Sequence, residues 1–264
     1  MNPPSHDRPP RVLILGGTSE ARELSAALAA HGGLTVSLSL AGRTRNPLDA
    51  GVATRSGGFG GAEGLATHLR AERIDALVDA THPFAANISR NAAEAARLAD
   101  VPLVALLRPA WERQAGDIWT EAADIPEAVA ALGESPRRVL VALGRNEVHA
   151  VEAAPQHHYL VRSIDPVEPR LTVPHARYIE ARGPFSPADE HALLTGNDID
   201  AVLSKNSGGA ATYGKIAAAR ALGIEVIMVA RPERPQVETV GSVGAVLGWL
   251  ERLPHQTSPA RRGV

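Results

Sequence analysis

Residues 11–24 read RVLILGGTSEAREL: a short apolar run, two glycines, then a polar turn that opens onto a leucine-spaced segment. An unbroken run such as Val12–Leu15 suits a strand covered on both faces, as strands of a parallel sheet are. Gly16-Gly17 permits a tight turn. Beyond it a helix is expected over about 19–31, with Leu24 and Leu28 on one face and Gly32-Gly33 ending it. A strand, a glycine turn and a helix in that order begin a βαβ unit, and the rest of the chain repeats the alternation.

In LTVSLSLA, Val36, Leu38 and Leu40 alternate with Ser37 and Ser39. A short strand around 52–54 leads into GGFGGAEG and a helix to about 72. IDALVDA (74–80), a helix over about 85–99 and VPLVALL then complete a first five-strand unit. Residues 109–137 are less regular, carrying Trp111, Trp119 and a short helix after Pro126, and read as the join between two lobes. A second set of strands is expected at 139–143, 158–161, 177–181, 199–204 and 225–230, with the proline-rich DPVEPRLTVP between the second and third. A last helix is expected over about 243–253.

The expected architecture is therefore α/β: two Rossmann-like lobes with mainly parallel sheets and a ligand cleft between them. The expected boundaries are a tail at 1–10, an N-terminal cofactor-binding lobe at 11–110, a connecting segment at 111–137, a C-terminal lobe at 138–253 and a tail at 254–264. The two sets of strands show no sequence repeat.

Composition narrows the function classes. A formal net charge of −2 on 264 residues excludes the broadly basic surface that coats nucleic acid, so any positive field must be local. With no cysteine there are no disulfides, thiolate metal sites or cysteine nucleophiles, which accords with a reducing cytoplasm. No apolar run reaches the roughly 20 residues of a membrane span, and MNPPSHDRPP is too polar for a signal peptide. The expectation is a cytoplasmic protein, monomeric or weakly self-associating, with no nucleic-acid or membrane partner.

The local positive field has a place. Seven strands run into a basic residue: Arg43, Arg108, Arg145, Arg162, Arg182, Lys205 and Arg231. The two others run into GGTSEA and THPFA. Ligands of an open α/β sheet sit at the carboxyl ends of its strands, so such a row describes a site for a polyanion. The plainer reading is that arginine ends strands comfortably in water.

The loops divide the row. Gly16, Gly17, Thr18 and Glu20 join a buried strand to a helix and would aim backbone N–H groups and a helix N-terminus at a phosphate. The G-x-G-x-x-G spacing is not met, and Ala21 stands near its last glycine, so a plain tight turn is the alternative. An NAD site expects an acid about 20 residues on. None occurs between Glu23 and Asp49; Gly42-Arg43-Thr44-Arg45 stands there instead, and a guanidinium with a hydroxyl suits a 2′-phosphate. NADPH is the cofactor expected.

All three phenylalanines, Phe59, Phe84 and Phe185, lie in Gly/Pro loops past strand ends, placed either to stack on a flat ligand or to plug their own lobes. In Thr81-His82-Pro83-Phe84 the imidazole could bond a ribose or amide, or be satisfied by backbone. Lys205-Asn206-Ser207-Gly208-Gly209 repeats the strand, glycine turn and helix, and Lys205 and Lys215 are the only lysines. Ser186 reads as a helix N-cap rather than a nucleophile. The histidines lack metal-ligand spacing, and no Tyr-x-x-x-Lys dyad, G-x-S-x-G elbow or GxxxxGK[ST] loop occurs.

LILGGTSEAREL, LSLAGRT, GGFGG, DATHPFA, ALGR, ARGPF and SKNSGG, in that order, resemble the precorrin-6A reductases of cobalamin biosynthesis. The resemblance covers about residues 11–232. It implies two Rossmann-like lobes with NADPH between them and reduction of a macrocycle double bond, precorrin-6A to precorrin-6B. It also implies Gly16, Gly17, Thr18 and Glu20 at the cofactor loop, Gly42, Arg43 and Thr44 at the adenosine end, and Thr81, His82, Pro83 and Phe84 near the nicotinamide. Arg145, Arg182, Lys205, Asn206, Ser207 and Gly208 would meet substrate carboxylates or the other side of the cofactor. Arg108, Arg162 and Arg231 stay unassigned, ordinary solvated strand ends being one reading of them. Water, His82 and Lys205 are the candidate proton sources, and no metal is implied. The alternatives are a cobalt-precorrin-6A reductase, a reductase of an unrelated polycarboxylate, and a non-catalytic NADP sensor.

Overall fold

A computed structural model describes residues 8–42 and 49–253. In chain order the elements are β1 (Arg11–Leu15), α1 (Ser19–His31), β2 (Thr35–Leu40), β3 (Ala53–Ser56), α2 (Gly61–Ala71), β4 (Ala76–Asp79), α3 (Ala86–Ala99) and β5 (Leu103–Leu106). There follow β6 (Trp119–Ala122), α4 (Ile125–Ala130), β7 (Arg138–Ala142), a 3-10 turn (Val148–Ala153), β8 (His158–Ser163) and β9 (Ala176–Glu180). The last elements of the described residues are α5 (Pro187–Gly196), β10 (Ala201–Lys205), α6 (Gly214–Leu222), β11 (Glu225–Val229), β12 (Thr239–Val240) and α7 (Val243–Arg252). Two units result. One comprises the chain up to Arg108 together with Arg234 onward, and the other comprises Pro109–Glu233.

The first unit holds a parallel sheet in the order β12-β5-β4-β1-β2-β3. β1 is central, with Val12, Leu13, Ile14 and Leu15 all buried, as its unbroken apolar run requires. Val12 and Ile14 face Leu24 and Leu28 of α1 and Val246 and Trp249 of α7. Leu13 and Leu15 face Leu65 and Leu69 of α2 and the small Ala92, Ala95 and Ala96 of α3. Helices therefore cover both faces.

The second unit holds another parallel sheet, β6-β11-β10-β7-β8-β9. One of its faces packs Leu140, Leu160 and Val202 against Leu194 of α5 and Ile216 of α6, with Trp111 and Trp119 closing the cluster.

Each sheet is the doubly wound order 3-2-1-4-5-6, with the sixth strand taken from the far side of the sequence. β6 follows β5 in the chain yet pairs with β11, while β12 follows β11 yet pairs with β5. This differs from the expected division of the chain. The segment expected as a connector carries an edge strand and α4 of the second unit. The last helix, expected in the C-terminal lobe, packs on the first sheet because Val246 and Trp249 bury there. Trp249 Nε1 also donates to Glu238 Oε2 at 2.9 Å.

Candidate active site

In the first unit, β1 and β4 are neighbours whose following helices, α1 and α3, lie on opposite faces of the sheet. That is the switch point, where the strand ends leave a crevice for a ligand. The turn after β1 is held from three sides. Gly16 N–H donates to the Ser39 carbonyl at 2.9 Å, and a Cβ on Gly16 would stand 2.5 Å from Leu38 Cδ1, so a side chain there would have to push the leucine methyl aside. Thr18 caps α1 by accepting the Ala21 N–H at 3.1 Å, and its hydroxyl donates to the Ala80 carbonyl at 2.9 Å. Within the first turn of α1 the N–H groups of Ser19 and Glu20 have no intrahelical acceptor and point to the positive end of the helix dipole.

The Glu20 side chain does not stand alone in that turn. Arg108 Nη1 lies 2.6 Å from Glu20 Oε2, with both side chains largely buried. Arg108, to which the sequence assigns no role, is thus fixed to the start of α1.

The loop after β4 is organised by Asp79, which is 2% exposed. Its Oδ1 accepts the Thr81 N–H at 3.1 Å and the Thr81 hydroxyl at 2.6 Å, and its Oδ2 accepts Arg234 Nη2 at 2.7 Å. Arg234 Nη1 reaches the carbonyls of His82 and Pro83 at 3.3 and 3.4 Å. His82 Nδ1 accepts the Phe84 N–H at 3.2 Å, which leaves the hydrogen of the neutral ring on Nε2. Neither Asp79 nor Arg234 was expected at the site. The signal for Asp79 was an acid ending an otherwise apolar strand, a position that demands partners.

Gly42, two residues past the end of β2, has φ +71°. Arg43 and Thr44 lie outside the described residues. Beside this edge stands an arginine the sequence did not single out. Arg55 Nη1 donates to Ser39 Oγ at 2.8 Å and to the Gly57 carbonyl at 3.0 Å, and Nη2 donates to the Gly58 carbonyl at 3.2 Å. Its guanidinium carbon lies 3.9 Å from the Phe59 ring centre. Phe59 packs on the cluster of Leu65 and Leu69 and near the His68 ring, so it closes its own core. Burial, with Arg55 nearby, holds His68 below its ordinary pKa.

In the second unit the basic strand ends sort by partner. Arg162, to which the sequence assigns no role, is buried, ion-paired to buried Glu190 and set 4.0 Å from the Phe185 ring centre. Arg231, also unassigned by the sequence, donates to the carbonyls of Asn206, Ser207 and Pro109 at 2.9, 3.1 and 3.1 Å. The Asn206 side chain accepts the Trp111 N–H at 2.8 Å and donates to the Trp111 carbonyl at 3.0 Å. Its amide, expected to face a ligand, is committed to building the loop. A Cβ on Gly208 would stand 2.0 Å from the Pro109 carbonyl oxygen, and its φ is +67°. Ser186 caps α5 as expected, accepting the Asp189 N–H at 3.1 Å.

Two cations at the β7 and β10 ends differ from these. Lys205 Nζ lies 2.5 Å from Glu147 Oε2, which also accepts the Gly144 N–H at 3.1 Å. Arg145, in the same loop, has no hydrogen-bond or ion-pair partner among the described residues. Arg182 is exposed just past β9. Among the described residues no group of three or more His, Cys, Asp or Glu could hold a metal, and no helix is long and apolar enough to cross a membrane.

Residues 11–251 match the family described as Precorrin-6x reductase CbiJ/CobK. A precorrin-6A reductase of Sinorhizobium sp is 55% identical over 95% of this chain and 95% of that protein. A cobalt-precorrin-6A reductase of Methanothermobacter thermautotrophicus is 31% identical over 92% of this chain and 82% of that protein. A solved structure titled CobK precorrin-6A reductase superposes with a TM-score of 0.89 at 44% identity, covering 97% of this chain and 100% of that one.

Proposed function

This chain belongs to the precorrin-6x reductase family, and we propose from that premise that it reduces a carbon–carbon double bond of precorrin-6A with hydride from NADPH. The observation that carries the reading is the switch point of the first sheet. There the Gly16–Glu20 turn and the Thr81–Phe84 loop are tied together through Thr18 and Ala80. Gly16, Gly17, Thr18 and Glu20 would hold the cofactor's pyrophosphate through backbone N–H groups, with Thr81 to Phe84 bordering the nicotinamide.

NADPH is preferred to NADH because residues 24–48 contain no acid, while Arg43, Arg45 and the fixed Arg55 lie in the segments following and flanking β2. The metal-free substrate is preferred because the identity is 55% to a precorrin-6A reductase and 31% to a cobalt-precorrin-6A reductase. A chain without cysteine fits the reducing cytoplasm, where we place the reaction.

The nicotinamide, when bound, supplies the hydride. The protein's own part is positioning and charge. Arg145, Arg182 and Lys205 are proposed to pair with carboxylates of the macrocycle, since guanidinium and ammonium groups bind such anions through charge-assisted hydrogen bonds. Arg145 lacks a partner among the described residues, whereas Lys205 must share its ammonium with Glu147. One carbon of the double bond would take the hydride and the neighbouring carbon a proton, with NADP+ as the oxidised product. Water, His82 Nε2–H and Lys205 are the sources to test for that proton. No covalent intermediate is required, because fixing two reactants and neutralising the acceptor's charge both lower the barrier.

The test is to mix the protein with NADPH and precorrin-6A and follow the near-ultraviolet absorbance of the reduced nicotinamide. Loss of absorbance only when both are present is expected. Tight NADPH binding without turnover would instead favour the sensor.

A further inference from the structure

Asp79 is an unusual residue to end a core strand. It sits in register with Leu15, the last residue before the glycine turn, and is almost fully buried. A carboxylate so placed is costly unless both oxygens are paired. One oxygen folds the start of the next loop through Thr81, and the other is given to Arg234, whose position is 155 residues further along the chain. The same guanidinium spans to the carbonyls of His82 and Pro83, so strand end and loop are held by one planar group. Arg234 is itself little exposed, and it precedes Pro235, which restricts its backbone to extended conformations and lowers the entropy lost in holding it there. Thr81, His82 and Pro83 each gain a fixed contact, and His82 in turn fixes the Phe84 N–H.

We propose that Arg234 is a positioning residue for hydride transfer, holding the Thr81–Phe84 loop, through Asp79 and the loop carbonyls, in the conformation that seats the nicotinamide. This rests on the proposal that the loop borders the nicotinamide. Arg234 acts through other groups and is not a catalytic residue. Lysine at this position can still pair with Asp79 but, as a single ammonium, cannot span to both carbonyls as the guanidinium fork does.

The experiment compares R234K, R234A and F84A with the parent protein at saturating NADPH. It records kcat and KM for precorrin-6A, thermal unfolding, and hydrogen exchange of the peptide carrying residues 81–86. R234K is expected to melt near the parent temperature, to exchange faster in this peptide, and to lose roughly tenfold or more in kcat with KM changed less than about twofold. F84A is expected to lower kcat as well. If R234A does not fold, R234K alone decides. An R234K protein with parental kcat, beside an F84A protein that is impaired, would overturn the role of Arg234 and leave the loop assignment standing. Parental kcat in both would overturn the loop assignment and the inference with it. A fall in kcat that only tracks a fall in folded fraction would reduce Arg234 to structural support and overturn it too.

Discussion

Thr18 Oγ1 donates to the Ala80 carbonyl oxygen across 2.9 Å while accepting the Ala21 N–H at 3.1 Å. One side chain therefore caps α1 and fastens the turn after β1 to the loop after β4. Replacement by valine keeps the shape and loses both bonds. T18V is expected to lower stability by about 1–2 kcal/mol and to weaken NADPH binding, whereas T18S retains both properties. Urea denaturation and cofactor titration of the two variants check this.

The basic strand ends should separate into two kinds on mutation. Arg162 is the ion-pair partner of buried Glu190, whose other oxygen has no partner among the described residues. R162L leaves that carboxylate uncompensated and is expected to cost about 3–5 kcal/mol. Arg145 has no partner among the described residues, so R145A should change stability by less than about 0.5 kcal/mol. Its effect is expected on substrate instead, as a KM raised by roughly tenfold, the worth of one hydrogen bond between charged groups. Unfolding curves and steady-state kinetics on both variants distinguish the two roles.

These arginines also mark where the sequence stopped being informative. Alternation of apolar runs with glycine turns revealed both parallel sheets, because a strand buried on two faces must be apolar throughout, as Val12–Leu15 is. The exchange of sixth strands was not legible. β12 has two residues, too few for a pattern, and β6 reads WTEA, half polar because it is an edge. At the site, loops with glycine and a cap were visible from local spacing. Partners were not: the Asp79–Arg234 and Arg108–Glu20 pairs join residues 155 and 88 positions apart, and only the fold brings them together. Arg108, Arg162 and Arg231 look alike in sequence, yet each is spent on a different internal acceptor.

Gly208 is the point where the loop after β10 passes under Pro109, and no side chain fits there. G208A must both adopt φ +67° and displace the Pro109 carbonyl. It is expected to cost about 1–3 kcal/mol, while Ala substitution at Gly244, where a Cβ meets nothing within 4 Å, is tolerated. Thermal unfolding of the two variants gives the comparison.

His157 sets a pH dependence. It is fully buried and accepts the Arg137 N–H at 3.2 Å through Nδ1, and burial holds its pKa below the ordinary 6.5. Above that value the ring is neutral folded or unfolded and contributes no pH dependence. As the pH falls below it, the unfolded chain takes the proton first, so stability declines until the lower folded value is passed. H157Q should remove this component, leaving a flatter stability profile below about pH 6.5. Urea midpoints of parent and variant across that range measure the difference.

In the proposed reaction a nicotinamide hydride passes to the macrocycle on this protein. Incubating the protein with precorrin-6A and NADPH deuterated at both positions of its reactive ring carbon, then weighing the product by mass spectrometry, tests it directly. One deuterium in the reduced macrocycle, carried on carbon and stable to exchange, is the expected result. A reduced product without deuterium, or no reduced product while NADPH remains bound, would contradict it.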